Sequence, residues 1–95
     1  MAVVFEWNEG KAATNLRRHG ISFLEAVEVF NDENAVEVFD ESRDYGEDRF
    51  IRIGMSGTKI LTVVYTEREE HRIRIISARP ANKNDQQDYY RSNRR

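Results

Sequence analysis

Two arginines alternate with isoleucines in the segment RIRIISARPA, which spans residues 72–81. Alternation of this kind is typical of a β-strand with one apolar face, so Arg72 and Arg74 are predicted to lie side by side on the opposite face of a sheet. A guanidinium group is planar and bonds phosphate oxygens in pairs. The pattern therefore indicates a surface suited to phosphate groups, although the arginines could equally keep an exposed sheet soluble by pairing with Glu37 or Glu67.

A second set of side chains could transfer protons. His19 has an ordinary pKa near ~6.5, but it falls in the last turn of a predicted helix, where histidine commonly bonds the terminal carbonyl groups. His71 begins a predicted exposed strand and is interpreted as a solvated residue. Lys11 and Tyr65 could act as base or acid only if their pKa values were lowered. These residue types leave the identity of a general acid and base open.

Metal, thiolate and nucleotide-loop chemistry are not indicated. The chain has no cysteine, and its two histidines are far apart in the sequence without the spacing of metal ligands. The glycines of the segment GMSG belong to a predicted hairpin rather than to a phosphate-binding loop. We therefore expect no cofactor and no metal site.

The length of 95 residues predicts one domain, residues 1–95. The net charge of −2 conceals a division, because residues 1–48 contain four Lys/Arg and twelve Asp/Glu, whereas residues 49–95 contain eleven and five. The N-terminal segment MAVVFEWNEG lacks the charged and apolar regions of a signal peptide. No apolar run approaches the roughly 20 residues that cross a bilayer. The protein is therefore expected to be cytoplasmic.

Helix-capping residues delimit three predicted helices. Asn8 is a predicted N-cap and Gly20 a predicted C-cap of the first helix. Ser22 and Glu25 have the spacing of a capping box at the start of the second. The last helix, NKNDQQDYYRSNRR, begins at Asn82 and is almost entirely polar. It is expected to dock weakly through its two tyrosines, or to be held by another molecule.

Alternating β-branched and aromatic residues predict five strands. Their segments are VVFEW (3–7), AVEVFD (35–40), RFIRIGM (49–55), ILTVVYTE (60–67) and HRIRIISAR (71–79). The element order is therefore β-α-α-β-β-β-β-α. We predict an α+β fold in which the first two helices cover one face of a mainly antiparallel sheet, with a C-terminal helix in addition.

The alternation also predicts which side chains face the helices. Arg52 is predicted to share the open face with Arg72 and Arg74. The intervening strand can offer either two threonines or Tyr65 to that face, depending on a register that the sequence leaves open. The side chains predicted to point toward the first two helices are Ile51, Ile53, Met55, Ile73 and Ile75.

Three long segments resemble the BrnT family, the toxins of BrnT/BrnA toxin–antitoxin pairs. They are FEWNEGKAATNLRRHGISFLEAVEVF, DRFIRIGMSGTKILTVVYTER and RIRIISARPANKNDQQDYY, which extend from Phe5 to about Tyr90. The junction HGISFLEA and the strand RIRIISARPA are the most specific of these motifs. The resemblance implies a RelE-like fold and a ribonuclease activity that blocks translation. This chain departs from the family pattern in its last helix, which is less basic than the last helix of many members.

Metal-independent cleavage of RNA proceeds by attack of a ribose 2′-hydroxyl on the neighbouring phosphate. It needs a base, an acid and positive charge on the phosphate. Exposed aromatic rings can also stack on unpaired bases. From their residue types, the predicted catalytic residues for this reaction are Arg52, Arg74, Arg79, Lys11, His19 and Tyr65, and the predicted RNA-binding residues are Trp7, Arg49 and Arg72.

The resemblance also implies a partner. This partner would be a BrnA-like antitoxin with a ribbon-helix-helix domain, which is expected to form a heterotetramer with the toxin and to be the component that binds DNA. No membrane association is expected. A different class of function stays open at this point, since arginine and tyrosine on the same sheet face would also serve a non-catalytic module that binds RNA or protein.

Overall fold

The computed structural model describes residues 2–40 and 46–93, and the last two residues of the predicted C-terminal helix lie outside these ranges. Its elements follow the predicted order and confirm the α+β class, while the RelE-like relationship stays a prediction. The helices are α1 (Glu9–His19), α2 (Phe23–Glu28), continued by a 3-10 turn (Val29–Asn31), and α3 (Lys83–Ser92). The strands are β1 (Val4–Glu6), β2 (Val36–Phe39), β3 (Phe50–Ser56), β4 (Lys59–Glu69) and β5 (Arg72–Pro80).

The helix ends confirm the predicted caps. The side chain of Asn8 accepts a hydrogen bond from the backbone N–H of Lys11 at 3.0 Å. Gly20 ends α1 in the left-handed conformation, with φ 71°, which glycine adopts without steric cost. Capping boxes begin both α2, at Ser22, and α3, at Asn82. Short polar contacts therefore set the limits of helices whose own apolar surface is small.

The five strands of the described residues form one sheet in the order β1-β5-β4-β3-β2. Strands β2 to β5 are consecutive antiparallel neighbours, as predicted, and β1 joins β5 in parallel. Helices α1 and α2 cover one face, which we call the helical face. The core there contains Ile21, Phe23, Ala26, Val29, Leu61, Val63, Tyr65, Ile75 and Ala78.

The predicted orientation of β3 is wrong. Ile53 lies with Tyr89 of α3 in a second apolar cluster, which Ile51 and Met55 also contact, on the face opposite α1 and α2. Strand β3 is therefore covered on both sides, and its alternation gives no sign of which helix covers which side. Gly54 occupies the helical face, where an added Cβ would lie 3.0 Å from a side-chain carbon of Val29.

A β-bulge interrupts β5 at Ile76. Tyr65 pairs with Ile75, whereas the preceding residue Val64 pairs with Ser77, so Ile76 has no partner on β4. The additional residue shifts the alternation of β5 by one position beyond this point. As a result, Arg79 lies on the same face as Arg74, although five positions separate the two residues.

The free edge of β5 beyond β1 is bonded to a side chain of α1. The Nδ2 atom of Asn15 donates to the carbonyl of Ala78 at 2.7 Å, and the Oδ1 atom accepts from the Ala78 N–H at 3.1 Å. Nδ2 also donates to the carbonyl of Ile21 at 3.0 Å. Asn15 therefore bonds the Ala78 peptide group as a neighbouring strand would, and it ties α1 to the sheet.

Candidate functional site

Three arginines of β5 occupy the sheet face opposite α1 and α2. We call this the arginine face and define it by Arg72, Arg74 and Arg79. The prediction that Arg72 and Arg74 lie side by side is confirmed, because both bond one carboxylate. Nη1 of Arg72 donates to Oε1 of Glu6 at 3.0 Å, and Nη1 of Arg74 donates to Oε2 at 3.1 Å. The arginine side chains are 44% and 30% exposed, so this surface is open to a ligand.

Glu6 reaches these arginines because β1 runs parallel to β5. Glu6 is the register partner of Arg74, and Phe5 beside it packs into the core of the helical face. The hydrogen bond from Arg72 lowers the pKa of the Glu6 carboxyl below its ordinary value, and the second bond, from Arg74, acts in the same direction. The carboxylate is therefore ionised at neutral pH and neutralises part of the charge on the arginine face.

Arg79 has a separate acidic partner on α3. Its Nη1 atom donates to Oδ2 of Asp85 at 2.8 Å, and the hydroxyl of Thr62 donates to the same oxygen at 2.8 Å. Burial alone would raise the pKa of Asp85, but the bonds from Thr62 and Arg79 bring it below the ordinary value. Asp85 also belongs to the capping box of α3. It therefore fixes the position of both the helix and the Arg79 side chain.

The threonines of β4 also lie on the arginine face. Thr62 is the register partner of Arg79, and Thr66 is the register partner of Arg74. This resolves the register that the sequence left open, since Tyr65 points to the helical face instead. Both threonines are nonetheless buried, so at these two paired positions the arginine rather than the threonine can meet a ligand.

Arg52 does not share the arginine face, and this prediction is wrong. Its register partner is Val63, a core residue of the helical face. Nε donates to the carbonyl of Val29 at 3.4 Å, Nη1 donates to Oε1 of Glu37 at 3.2 Å, and the guanidinium lies 5.3 Å from the centre of the Phe30 ring. The pairing of an arginine with Glu37, proposed as the alternative to phosphate binding, is found at this residue.

Tyr65 is a core residue that is 2% exposed. Its ring stacks on Phe50 at 5.5 Å and meets the edge of Phe30 at 4.9 Å, and its hydroxyl donates to Glu37. Its position on the helical face separates it from the arginine face by the thickness of the sheet. The Tyr65 hydroxyl is therefore a buried polar group whose hydrogen-bond partner is Glu37 rather than solvent.

Lys11 and His19 lie together in a groove of 230 Å³ beside the edge of β5. In the described part of the chain, neither side chain forms a hydrogen bond or an ion pair. The groove thus brings two groups capable of proton transfer next to the bulge of the arginine-bearing strand. Its walls are formed by Lys11, Thr14, Asn15, Arg18 and His19 of α1 and by Ile76 and Ser77 of β5.

The two remaining predicted RNA-binding residues lie elsewhere. Trp7 meets the edge of Phe23 at 5.9 Å and donates from Nε1 to Glu9 at 3.1 Å, so it belongs to the helical side of the molecule. Arg49 precedes β3, and its Nε atom lies 3.4 Å from Oε2 of Glu47.

Sequence reasoning missed Glu6 and Asp85, the two carboxylates that bond the arginine face. Glu6 alternates with Phe5 and Trp7 in VVFEW, which indicated a polar outward position. Its partner strand could not be identified, because a parallel pairing over this sequence distance leaves no local pattern. The same limit applies to Asp85, because its contact with Arg79 joins α3 to β5 and is not indicated by a local pattern.

Within residues 2–40 and 46–93, no group of three or more His, Cys, Asp or Glu residues is arranged to hold a metal ion. No helix in those ranges is long and apolar enough to span a membrane.

Comparison with known proteins places the chain in a family. A family model described as the ribonuclease toxin BrnT of type II toxin–antitoxin systems matches residues 7–85. The chain is also similar to the 1.1 Å crystal structure of the Brucella abortus ribonuclease toxin BrnT, with 26% identity, a TM-score of 0.63, and coverage of 87% of this chain and 99% of that chain. A comparison with curated proteins gave no match. Because the model spans most of the sequence, the protein belongs to the BrnT family of ribonuclease toxins of type II toxin–antitoxin systems.

Proposed function

We propose that the arginine face is the surface on which this ribonuclease toxin holds the RNA backbone. The observation that carries the proposal is the convergence of Arg72, Arg74 and Arg79 on one open face, which the bulge at Ile76 makes possible. An RNA strand carries one negative charge per nucleotide, and arginines neutralise it while releasing counterions. Two neighbouring guanidinium groups that already bond two oxygens of a carboxylate are well placed to bond two oxygens of a phosphate.

Cleavage on this surface would use the ribose 2′-hydroxyl as the nucleophile and would require no metal ion. Arg74 and Arg79 would stabilise the negative charge that develops on the phosphate. His19 and Lys11, in the groove on the neighbouring edge of β5, are the proposed proton-transfer groups. Arg52 and Tyr65 are assigned a structural role instead, since both are bonded to Glu37 within the helical side. A non-catalytic module is not favoured, because the family consists of ribonucleases.

Membership in a type II system implies a protein antitoxin. We propose that this antitoxin is BrnA-like, carries a ribbon-helix-helix domain and forms a heterotetramer with the toxin in the cytoplasm. DNA binding would belong to the antitoxin, since twelve acidic residues in the first 48 positions of the toxin would repel DNA phosphates. Cleavage of messenger RNA by the free toxin would stop translation.

Expression of the toxin without an antitoxin in bacteria tests the central proposal. Growth should stop and transcripts should become shorter, whereas the Arg74→Ala variant should accumulate as folded protein and permit growth. The matched control is Arg91→Ala on α3, which removes an equal charge from a side chain that is 74% exposed and paired only with Asp88 among the described residues. Equal toxicity of wild type and Arg74→Ala would show that the RNA backbone is held elsewhere.

A further inference from the structure

The bonding of Glu6 to two arginines bears on how RNA enters the arginine face, and this inference rests on the proposed function. Each carboxylate oxygen of Glu6 accepts a bond from a different guanidinium, at 3.0 Å from Arg72 and 3.1 Å from Arg74. Two oxygens of one anion bridge two arginines in the way that two non-bridging oxygens of one phosphate would. We propose that the Glu6 carboxylate occupies the position of an RNA phosphate and must be displaced when RNA binds.

The backbone of β1 is held in place beside the arginines. Phe5 is partly buried and packs against the core, where its ring centre lies 5.1 Å from that of Phe30. The register of β1 against β5 then holds Glu6 opposite Arg74. Displacement therefore requires only rotation of the Glu6 side chain, which is 28% exposed and borders solvent. Such a rotation leaves the sheet intact.

Solvent access makes this exchange feasible. Ion pairs between partly exposed side chains are weak, because water and salt screen them and both side chains lose rotamer freedom. The low pKa of the Glu6 carboxyl means that protonation does not release the arginines at neutral pH. An isolated phosphate group offers the arginines little more than the carboxylate does. An RNA strand would also meet Arg79 on the same face, so we expect it to displace Glu6 more readily than a mononucleotide does.

Asp85, the partner of Arg79, cannot act in this way. Its Oδ2 atom accepts bonds from Thr62 and Arg79 at 2.8 Å each, and its side chain completes the capping box of α3. Rotation of Asp85 would leave the Thr62 hydroxyl and the helix N-terminus without their acceptor. Of the two carboxylates on the arginine face, only Glu6 has no other bonded partner among the described residues.

The test is RNA binding by Glu6→Gln, measured by fluorescence anisotropy with a labelled 2′-O-methyl oligonucleotide, which lacks the attacking hydroxyl. Glutamine keeps the size of the side chain and removes its charge. We expect binding to tighten by about 3- to 10-fold at low salt, and the slope of log affinity against log salt to steepen by about 0.7 for one additional neutralised phosphate of a single strand. Affinity for a mononucleotide should rise as well.

The matched control is Glu9→Gln, which removes an equal charge from a residue bonded to Trp7, away from the arginine face. If Glu6→Gln tightens RNA binding and Glu9→Gln does not, the Glu6 carboxylate competes locally with RNA. If both variants tighten RNA binding equally, the change in net charge explains the effect and the inference is overturned. Glu6→Thr, neutral and compatible with a strand, is measured in parallel in case glutamine perturbs folding. Unchanged or weaker binding by the folded variants would overturn the inference.

Arg74→Ala separates this inference from the proposed function. If Arg74→Ala weakens RNA binding and the neutral Glu6 variants do not strengthen it, the arginine face stands and the competitor role of Glu6 is rejected. If Arg74→Ala leaves RNA binding unchanged, the proposed function itself fails, and the inference fails with it.

Discussion

The side-chain amide of Asn15 and the backbone of Ala78 exchange two hydrogen bonds, at 2.7 and 3.1 Å, although 63 positions separate the residues. This pairing occurs at the edge of β5 beyond the end of β1, where a strand neighbour is replaced by α1. Asn15 is 6% exposed, so these hydrogen bonds lie in a largely buried place.

Asn15→Ala should lower the free energy of unfolding by about 2–4 kcal/mol, because it leaves the N–H and carbonyl of Ala78 and the carbonyl of Ile21 unsatisfied in a buried place. Chemical denaturation measures this change. Thr14→Ala, at the adjacent exposed position of α1, serves as the control and should change stability by less than about 0.5 kcal/mol. Equal stability of the two variants would mean that α1 is held by other contacts.

Ile75→Ala and Arg74→Ala should separate stability from activity at adjacent positions of β5. Ile75 is 1% exposed within the core of the helical face, and its truncation should cost about 2–5 kcal/mol by leaving a cavity. Arg74 points away from that core, so its loss should leave the unfolding midpoint nearly unchanged while it reduces RNA cleavage. Thermal unfolding and cleavage of a labelled RNA, measured on the same preparations, distinguish the two effects. Loss of fold in Arg74→Ala would contradict its placement on the open face.

His19→Gln should reduce the rate of RNA cleavage by about 10²- to 10⁴-fold, the usual contribution of a general acid or base, while it preserves RNA binding. Tyr65→Phe should retain the cleavage rate, because the tyrosine hydroxyl bonds Glu37 inside the helical side. Single-turnover cleavage with saturating enzyme measures the chemical step directly. A large loss in Tyr65→Phe with His19→Gln unaffected would reverse this assignment.

Asp32 and Tyr89 should make stability fall at both ends of the pH scale. Oδ2 of Asp32 accepts bonds from the Tyr89 hydroxyl at 2.7 Å and from the Met55 N–H at 2.8 Å. Burial opposes ionisation of Asp32, but these bonds outweigh it and hold the pKa of its carboxyl below the ordinary value. Burial, followed by the bond to Asp32, raises the pKa of Tyr89 from 10.0 to about 12.

The sign of each contribution follows from linkage. A lowered carboxyl pKa stabilises the fold above the unfolded value near 4, and this stabilisation is lost as the pH falls through the lower folded value. The raised tyrosine pKa stabilises the fold below pH 10.0, and this stabilisation is lost as the pH rises toward about 12. Denaturation across the pH range should therefore show a weaker acid dependence in Asp32→Asn and a weaker alkaline dependence in Tyr89→Phe. Curves parallel to wild type in both variants would refute this account.

Local sequence signals predicted the elements of this fold well. Asn8, Gly20 and the pair Ser22 and Glu25 each act on the nearest turn of backbone, so their effect can be read without knowledge of the tertiary structure. The hairpin at Gly57, with φ 60°, and the end of β5 at Pro80 follow from equally local conformational limits. The element order was correct for this reason.

The arrangement of the site could be predicted only in part. Arg72 and Arg74 precede the bulge, so strict alternation placed them correctly. Arg52 was misplaced because β3 is apolar or covered on both sides, which removes the contrast on which alternation depends. Arg79 lies on the arginine face only because Ile76 of β5 has no partner on β4. Glu6 reaches that face only because β1 pairs in parallel with β5. Both are tertiary features that a single sequence does not reveal.

The parallel pairing of β1 with β5 also has a consequence for the order of folding. The contact between Glu6 and Arg74 joins residues 68 positions apart, whereas β2 to β5 pair through short connections. Contacts between distant residues form late, because closing a long chain segment costs entropy before any pairing compensates for it. During synthesis, β1 can therefore complete its pairing only after β5 has been made. The arginine face, proposed to hold RNA, includes Arg79 and therefore cannot be complete until the codon for that residue has been translated.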